Sequence, residues 1–268
     1  MNRGNPIYIF RQFLVISAIN QGNALIIGAS QGIGLGFVQS LLQQGNLQQV
    51  FATYRNPDTA SELFSLKNQY GDRLTCIQAD VTQEPQIANA AQQIKESVPQ
   101  LHLVIYCVGV LHSENLAPEK SLRQIDAEKL LYSFQVNSVG AVLYAKHLMS
   151  LFKKSDRSVF ACVSAKVGSI GDNRLGGWYG YRASKAALNM FLKTTAIEYS
   201  RRCPKTIVVA LHPGTTDTRL SQPFQKNVPP GKLFPVTKTV DLLSQVIVNL
   251  EPKDSGEFFS WDGTQLPW

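Results

Sequence analysis

The chain has 268 residues, of which 44% are hydrophobic and 17% are charged. A hydrophobic share this close to the globular average excludes a mainly disordered or collagen-like protein. The formal net charge of +7 at pH 7 suits an anionic ligand. Because the basic residues are scattered, with no run longer than a pair, we expect no nucleic-acid partner.

The four cysteines are far apart and form no C-x-x-C pair: Cys76, Cys107, Cys162 and Cys203. Isolated thiols in apolar stretches are typical of free cysteines in a reducing compartment, so we expect a cytoplasmic location. The histidines show no metal-ligand spacing either, and no metal site is predicted.

The N-terminal region contains one short apolar piece, Phe13-Leu14-Val15-Ile16. A membrane span needs about 20 mostly apolar residues, so we expect none here. A signal peptide is disfavoured because Arg11 interrupts the apolar stretch and no clear cleavage site follows it. We interpret residues 1–22 as an extension outside the fold and residues 23–268 as one domain.

From Asn23 onward, short apolar runs alternate with amphipathic segments. The runs predict strands at 24–27, 50–54, 74–78, 103–107, 159–163, 207–211 and 257–260. The segments predict helices at 35–44, 59–69, 86–97, 127–152, 179–200 and 239–250. Most strand runs are apolar without alternation, which indicates a parallel sheet buried on both faces. Strand–helix alternation then predicts a doubly wound α/β domain with a seven-stranded parallel sheet and helices on both faces.

A glycine-rich turn follows the first predicted strand directly: Gly28-Ala29-Ser30-Gln31-Gly32-Ile33-Gly34. Glycine permits positive φ and close approach of a ligand, while the N–H groups that begin the next helix attract a pyrophosphate. The spacing is G-x-x-x-G-x-G, not G-x-G-x-x-G. Taken alone it is equally typical of a tight turn; its position in a βαβ unit favours a dinucleotide site.

The end of the second predicted strand bears on the choice of dinucleotide. An acidic residue there binds the adenosine ribose, whereas an arginine accommodates a 2′-phosphate. This chain has Thr53-Tyr54-Arg55. Arg55 therefore favours NADPH over NADH, with NAD as the alternative, unless it is only a solvated loop charge.

Tyr181 and Lys185 stand four residues apart and share one face of a predicted helix. The reference pKa of a phenol, about 10, is poorly matched to proton transfer at neutral pH, and a nearby lysine cation would lower it. Alone, such a pair is more often a surface pair. Here Ser164 ends a buried strand upstream, where α/β sheets place their ligands.

Together these features resemble the short-chain dehydrogenase/reductase family, from Asn23 to Trp268. The motifs occur in the family's order: the glycine turn, Asp80-Val81, Val136-Asn137, Ser164, Tyr181-x-x-x-Lys185 and Pro213-Gly214. The stretches 168–173, 176–185 and 258–263 look most similar to the C-factor and sniffer-type carbonyl reductase branch. The resemblance implies a single Rossmann domain.

The resemblance implies four catalytic residues. Tyr181 would protonate the carbonyl oxygen of a substrate, and Lys185 would lower the pKa of that phenol and hold the nicotinamide ribose. Ser164 would orient the carbonyl, and Asn137 would support a water-linked proton relay to Lys185.

The implied cofactor contacts lie in the glycine turn, after strands two to four and after strand six. They are Gly28, Ser30, Gly32, Ile33, Gly34, Arg55, Asp80, Val81, Gly109, Pro213, Gly214, Thr216 and Thr218, together with Tyr181 and Lys185.

The chain also departs from the family pattern. Cys107-Val108-Gly109 stands where Asn-Ala-Gly is usual, and Ile27 replaces a threonine. The separation of Ser164 from Tyr181 exceeds the commoner spacing, and we expect the extra residues, which include Asp172, to reshape the substrate pocket.

The expected function is NADPH-dependent reduction of a small-molecule ketone or aldehyde. Two alternatives stay open: a β-ketoacyl thioester reductase, and a C-factor-like signalling protein that binds NAD(P) with little turnover. By analogy with the family, the predicted helices 127–152 and 179–200 would form a homodimer or homotetramer interface, with a monomer as the alternative.

Overall fold

The computed structural model describes residues 22–45, 47–153 and 155–268. The strands are β1 Gly22–Ile27, β2 Leu47–Tyr54, β3 Leu74–Gln78, β4 Leu103–Tyr106, β5 Ser158–Val163, β6 Thr206–His212, β7 Thr215–Thr216, β8 Leu233–Phe234 and β9 Phe258–Ser260. The α-helices are α1 Gly32–Gln44, α2 Ser61–Tyr70, α3 Glu84–Ser97, α4 Ala127–Phe134, α5 Gly140–Phe152, α6 Tyr179–Arg202 and α7 Val236–Asn249. The predicted N-terminal extension lies outside these residues, apart from Gly22, which opens β1.

Seven strands form one parallel sheet in the order β3-β2-β1-β4-β5-β6-β9. The predicted doubly wound Rossmann fold is confirmed. The chain builds the sheet outward from β1 to β3, then returns and builds the other half from β4. The strand order therefore reverses between β1 and β4, and the crevice at their carboxyl ends is where folds of this kind bind ligands.

Both faces of the sheet are buried, which explains the unbroken apolar runs. In β1, Leu25 and Ile27 join one core cluster with helices α3, α5 and α6. Ala24 and Ile26 join the other, with α1, α2 and α7. Successive strand side chains point to opposite faces, so every position of such a strand must be apolar.

One predicted helix, 127–152, is interrupted in the structure. A π-helical turn, Gln135–Val139, separates α4 from α5 and contains Asn137. Single π-turns inside helices are frequent at functional sites. The pairing of β7 with β8 was not predicted, because a strand of two residues leaves no pattern in the sequence.

The π-turn is held against the sheet by Tyr106 at the end of β4. Its buried hydroxyl donates to the carbonyl oxygen of Val136 at 2.7 Å. Gly140 allows this approach, since a Cβ there would lie 2.7 Å from the same hydroxyl. The position of Asn137 thus depends on a contact between β4 and the turn.

We expect Tyr106→Phe to lower the free energy of unfolding by about 1–3 kcal/mol, because the buried Val136 carbonyl loses its hydrogen bond. Urea unfolding followed by circular dichroism measures the change. Tyr54→Phe is the matched control, because no hydrogen bond of its hydroxyl occurs among the described residues. Equal effects of the two variants would contradict the assignment.

Candidate active site

The glycine turn connects β1 to α1 and is tied to β2. Gly28 has φ +82° and Gly32 has φ +57°. A Cβ at Gly34 would lie 2.1 Å from the Gly28 carbonyl oxygen, so the tight path of the turn requires glycine there. The Gly28 N–H donates to Thr53 Oγ1 at 3.1 Å, and the Ala29 N–H donates to the Thr53 carbonyl at 2.8 Å. The predicted turn residues, Ser30 and Ile33 included, lie in this turn or in the first turn of α1.

The N-terminus of α1 is open to an anion. Gln31 precedes the helix with an extended backbone and no side-chain capping hydrogen bond, and the first turn holds no acidic residue. Initial N–H groups of a helix without such a cap can bind phosphate oxygens.

Sequence reasoning missed a cation beside this turn. Arg219 Nη1 donates to Gln31 Oε1 at 3.3 Å. Thr218, predicted at the cofactor, lies against Gly32: its Cγ2 would be 3.3 Å from a Cβ there. Arg219 lies 188 residues after Gln31, so no local pattern linked the two.

Arg55 and Asp80 follow neighbouring strands at the same sheet edge. Arg55 is exposed directly after β2, where its carbonyl accepts from Gln78 Nε2 at 3.0 Å. Asp80 Oδ1 accepts from the N–H and the hydroxyl of Thr82, at 2.9 and 2.8 Å. Val81, next along the chain, is buried against Gly140.

Asn137 is fully buried and joins the loop after β4 to α6. Its Oδ1 accepts from the Val110 N–H at 2.7 Å, and its Nδ2 donates to the Val110 carbonyl and to Ser184 Oγ, both at 2.9 Å. The Ser184 hydroxyl donates to the Tyr181 carbonyl at 2.9 Å. This chain of contacts connects Asn137 to the backbone of Tyr181.

Lys185 is buried one helical turn after Tyr181. Its Nζ donates to the Val163 carbonyl at 2.9 Å, at the end of β5. Gly109 lies beside the same group, since a Cβ there would be 3.6 Å from Nζ. Burial lowers the pKa of Lys185 to about 8. The ammonium therefore stays mostly charged at pH 7.

The phenol of Tyr181 differs from the expectation that Lys185 lowers its pKa. Burial raises the pKa of Tyr181 above its ordinary value. The Lys185 ammonium is hydrogen-bonded to Val163 and lies 5.9 Å from the centroid of the phenol ring. The phenol is thus neutral at pH 7, the protonation state that a proton donor requires.

Ser164 comes directly after β5 and is 2% exposed. Its N–H donates to the Leu211 carbonyl at 2.8 Å, and its hydroxyl donates to Asn189 Oδ1 at 2.7 Å. Asn189, also buried, was missed by sequence reasoning. The available signal was its spacing of four residues from Lys185, which places it on the same helix face.

The start of α6 is held by Glu119, another residue that sequence reasoning missed. Trp178 precedes the helix with φ +52°, the sole positive φ of a non-glycine residue among the described positions. The Glu119 carbonyl accepts from the Trp178 N–H, and its buried carboxylate accepts from the Gly180 N–H at 3.1 Å. A carboxylate at a helix N-terminus also suits the helix dipole.

Aromatic side chains continue from Tyr181 toward the segment after β7. The Trp178 ring lies 6.3 Å from that of Tyr181 and 4.9 Å from that of Phe224, measured between centroids. His112 lies 5.9 Å from Phe224. These rings form an apolar wall beside the phenol.

Of the predicted cofactor contacts after β6, Gly214 lies at a cavity, whereas Thr216 is bonded to α7. Gly214 has φ +72° and, with His212, lines a cavity of about 160 Å³; the buried Pro213 lies between them in sequence. Burial lowers the pKa of His212 to about 4. The buried Thr216 hydroxyl pairs with that of Thr239 at 2.9 Å. That hydroxyl is therefore engaged with α7.

The extra residues between Ser164 and Tyr181 form a loop fastened to residue 268. The Gly171 N–H and the Ser169 hydroxyl donate to the Trp268 carbonyl at 3.0 and 3.1 Å. Asp172 pairs with Lys166 at 3.5 Å, and both are about half exposed.

In the described part of the chain, no three His, Cys, Asp or Glu side chains lie together as metal ligands would. Nor does any helix in it combine the length and apolar character needed to span a bilayer.

Comparison with known proteins places this chain among oxidoreductases. Residues 22–229 match the family model described as short chain dehydrogenase. The chain is 28% identical to an NADPH-bound carbonyl reductase from chicken fatty liver, with a TM-score of 0.84 over 93% of this chain and 95% of that one. It is 25% identical to the carbonyl reductase Sniffer of Drosophila melanogaster, with a TM-score of 0.81 over 93% and 100%.

The chain is also similar in sequence to the C-signal of Myxococcus xanthus. The two are 30% identical over 148 residues, which cover 55% of this chain and 84% of the C-signal. Together these likenesses support the resemblance to the C-factor and sniffer-type branch.

We expect Glu119→Ala to lower the free energy of unfolding by about 1–3 kcal/mol, because the buried Gly180 N–H loses a charge-assisted bond. The kcat of any NADPH-linked reaction should fall as well, since the first turn of α6 carries Tyr181. Unfolding and steady-state kinetics measure both. Glu198→Ala, at an exposed position of the same helix, is the control. A Glu119 variant with wild-type stability would contradict the anchoring role.

Proposed function

Because the chain belongs to the short-chain dehydrogenase family, we propose that it reduces a ketone or aldehyde to an alcohol with NADPH. Membership makes it an NAD(P)-dependent oxidoreductase; the direction, the cofactor preference and the carbonyl substrate are the proposal. The main support is the arrangement at the end of β5, where Lys185 and Asn189 contact Val163 and Ser164.

The residues present fit a dinucleotide. The glycine turn passes too close to itself for a Cβ at Gly34, and α1 begins with N–H groups that no side chain caps. Gly28, Gly32 and Gly34 would surround the pyrophosphate, and Asp80 and Val81 the adenine. Gly109 would leave room for the cofactor beside Lys185.

NADPH is favoured over NADH by two cations. Arg55 is exposed at the end of β2, two residues after Thr53, which is tied to the glycine turn. Arg219 adds a guanidinium at Gln31. A charge-assisted bond to phosphate contributes roughly 1.5–3 kcal/mol, enough for about a ten- to hundredfold preference.

When bound, the reduced nicotinamide supplies the hydride. The Ser164 hydroxyl donates to the substrate carbonyl oxygen and orients it. Tyr181, whose phenol is neutral at pH 7, gives its proton to that oxygen as the alcohol forms. The Lys185 ammonium stabilises the phenolate that remains and would hold the ribose hydroxyls of the bound cofactor. Asn137 keeps the loop after β4 in register with α6 and supports proton return through water.

The two alternatives differ in substrate or in purpose. A β-ketoacyl thioester reductase would use the same side chains on a thioester-linked ketone. A signalling protein has support from the likeness to the C-signal, yet a sensor of NAD(P) would need the glycines and not the proton donor.

Two other expectations are part of the proposal. The four cysteines of the described residues are free thiols, which supports a cytoplasmic location. Exposed apolar side chains on α4 and α6, namely Leu131, Met190 and Ile197, support a homodimer or homotetramer through these helices.

The decisive test is Tyr181→Phe against a panel of simple ketones, aldehydes and β-ketoacyl thioesters. We expect wild-type protein to oxidise NADPH with the free carbonyl compounds. The variant should lose about 100-fold or more in kcat, because the proton donor is gone, while it still binds NADPH. NADPH absorbance and fluorescence measure the two quantities, and Tyr179→Phe is the control on the same helix.

Each alternative gives its own result in this experiment. A preference for the thioesters would favour the β-ketoacyl reductase. Tight NADPH binding by the wild type without turnover of any compound would favour the sensor. Full turnover by Tyr181→Phe would remove the mechanism.

The cofactor preference is tested by Arg55→Ala. We expect the KM for NADPH to rise about ten- to hundredfold and the KM for NADH to stay within about twofold, since only NADPH carries the 2′-phosphate. Arg123→Ala, at an exposed position outside the site, controls for net charge. If the KM values for NADPH and NADH rise together, Arg55 does not bind the 2′-phosphate.

A further inference from the structure

Asn189 combines two unusual features. Its Oδ1 accepts the Ser164 hydroxyl hydrogen at 2.7 Å, while its Nδ2 has no hydrogen-bond partner among the described residues. The side chain is only 3% exposed. Buried amide donors are rarely left unpaired, so an Asn held in this way calls for a functional explanation.

The direction of the Ser164–Asn189 bond conflicts with the proposed role of the serine. To orient a carbonyl oxygen, Ser164 must donate its single hydroxyl hydrogen to it, because a carbonyl oxygen only accepts. In the structure that hydrogen is directed at Asn189 Oδ1. The bond to Asn189 must therefore reverse before the serine can act on a substrate.

We propose that Asn189 is the positioning residue that sets the direction of the Ser164 hydroxyl, an inference that rests on the proposed carbonyl reduction. A half-turn of the amide exchanges Oδ1 and Nδ2, which differ little in size. Nδ2 then donates to Ser164 Oγ, and the serine hydrogen turns to the substrate oxygen. No covalent bond changes, and every proton stays on its own atom.

The reversal increases the number of hydrogen bonds when a carbonyl substrate arrives. Before it, the pair makes one bond and leaves the Nδ2 donor unpaired. After it, Nδ2 donates to the serine and the serine donates to the substrate. The unpaired group is then an acceptor, and unpaired buried acceptors are more common in proteins than unpaired donors.

Helix geometry gives this role to Asn189. Tyr181, Lys185 and Asn189 follow one another at four-residue spacing in α6. They therefore share the helix face that meets the end of β5. Lys185 contacts Val163 and Asn189 contacts the next residue, Ser164.

The test is a double-mutant cycle with Ser164→Ala, Asn189→Leu and the double variant. The assay uses NADPH and the panel compound that the wild type reduces fastest. We expect Asn189→Leu to lower kcat about tenfold or more in the wild type and less than twofold in the Ser164→Ala background. The Kd for NADPH should stay unchanged in all four proteins.

Unfolding midpoints of the same four proteins give a measurement independent of turnover. They should be non-additive, because Ser164 and Asn189 are in direct contact. Thr195→Val removes another buried hydroxyl from α6 and is the matched control. It should shift the midpoint without changing kcat.

If Asn189→Leu fails to fold, a second variant can test the amide N–H donor of Asn189 apart from its acceptor oxygen. Asn189→Asp at pH 8 keeps an acceptor for the Ser164 hydroxyl and lacks the amide hydrogens. We expect it to lose as much kcat as Asn189→Leu, whereas a purely structural bond from Ser164 would survive in it.

The outcomes distinguish this inference from the function on which it rests. If the wild type reduces no compound of the panel, the proposed function is wrong and the inference falls with it. If the wild type is active and Ser164→Ala is impaired, but Asn189→Leu lowers kcat equally in both backgrounds, only the inference is overturned. Wild-type kcat in Asn189→Asp would overturn it as well.

Discussion

The site depends on two hydrogen bonds that fasten α6 to the end of β5. Lys185 Nζ donates to the Val163 carbonyl at 2.9 Å, and Ser164 Oγ donates to Asn189 Oδ1 at 2.7 Å. Val163 and Ser164 are consecutive, so the helix cannot slide along the strand without breaking both bonds. This constraint fixes Tyr181, one turn before Lys185, relative to the serine hydroxyl. The parallel sheet supplies the rigid edge from which the constraint acts.

Burial shifts the pKa values of Tyr181 and Lys185, two titratable groups of α6, in opposite directions. Desolvation disfavours the charged form of each group, so it raises the pKa of Tyr181 and lowers that of Lys185 to about 8. A phenol is neutral with its proton and an amine is charged with it. At pH 7 both groups therefore remain mostly protonated. That state places a proton donor next to a cation.

The sequence predicted those parts of the molecule whose causes are local. Strands buried on both faces must be largely apolar, so β1, β4, β5 and β6 were visible as apolar runs. The glycine turn was visible because its path excludes a Cβ at Gly34. Glu119 and Arg219 were not predicted, since each acts on a residue far away in the chain. The pKa of Tyr181 was expected to fall because the sequence showed the nearby lysine and not the burial.

The backbone at Trp178 links these long-range contacts to one another. A left-handed conformation of a non-glycine residue costs about 1–3 kcal/mol and persists only where its surroundings hold it. Here Glu119 bonds the Trp178 N–H, and the indole packs on Phe224 at 4.9 Å. Residues 218–224 thus contact the wall beside Tyr181 at one end, and through Arg219 they contact the glycine turn at the other. The strained backbone of Trp178 therefore lies where residues 218–224 connect the glycine turn to the aromatic wall beside Tyr181.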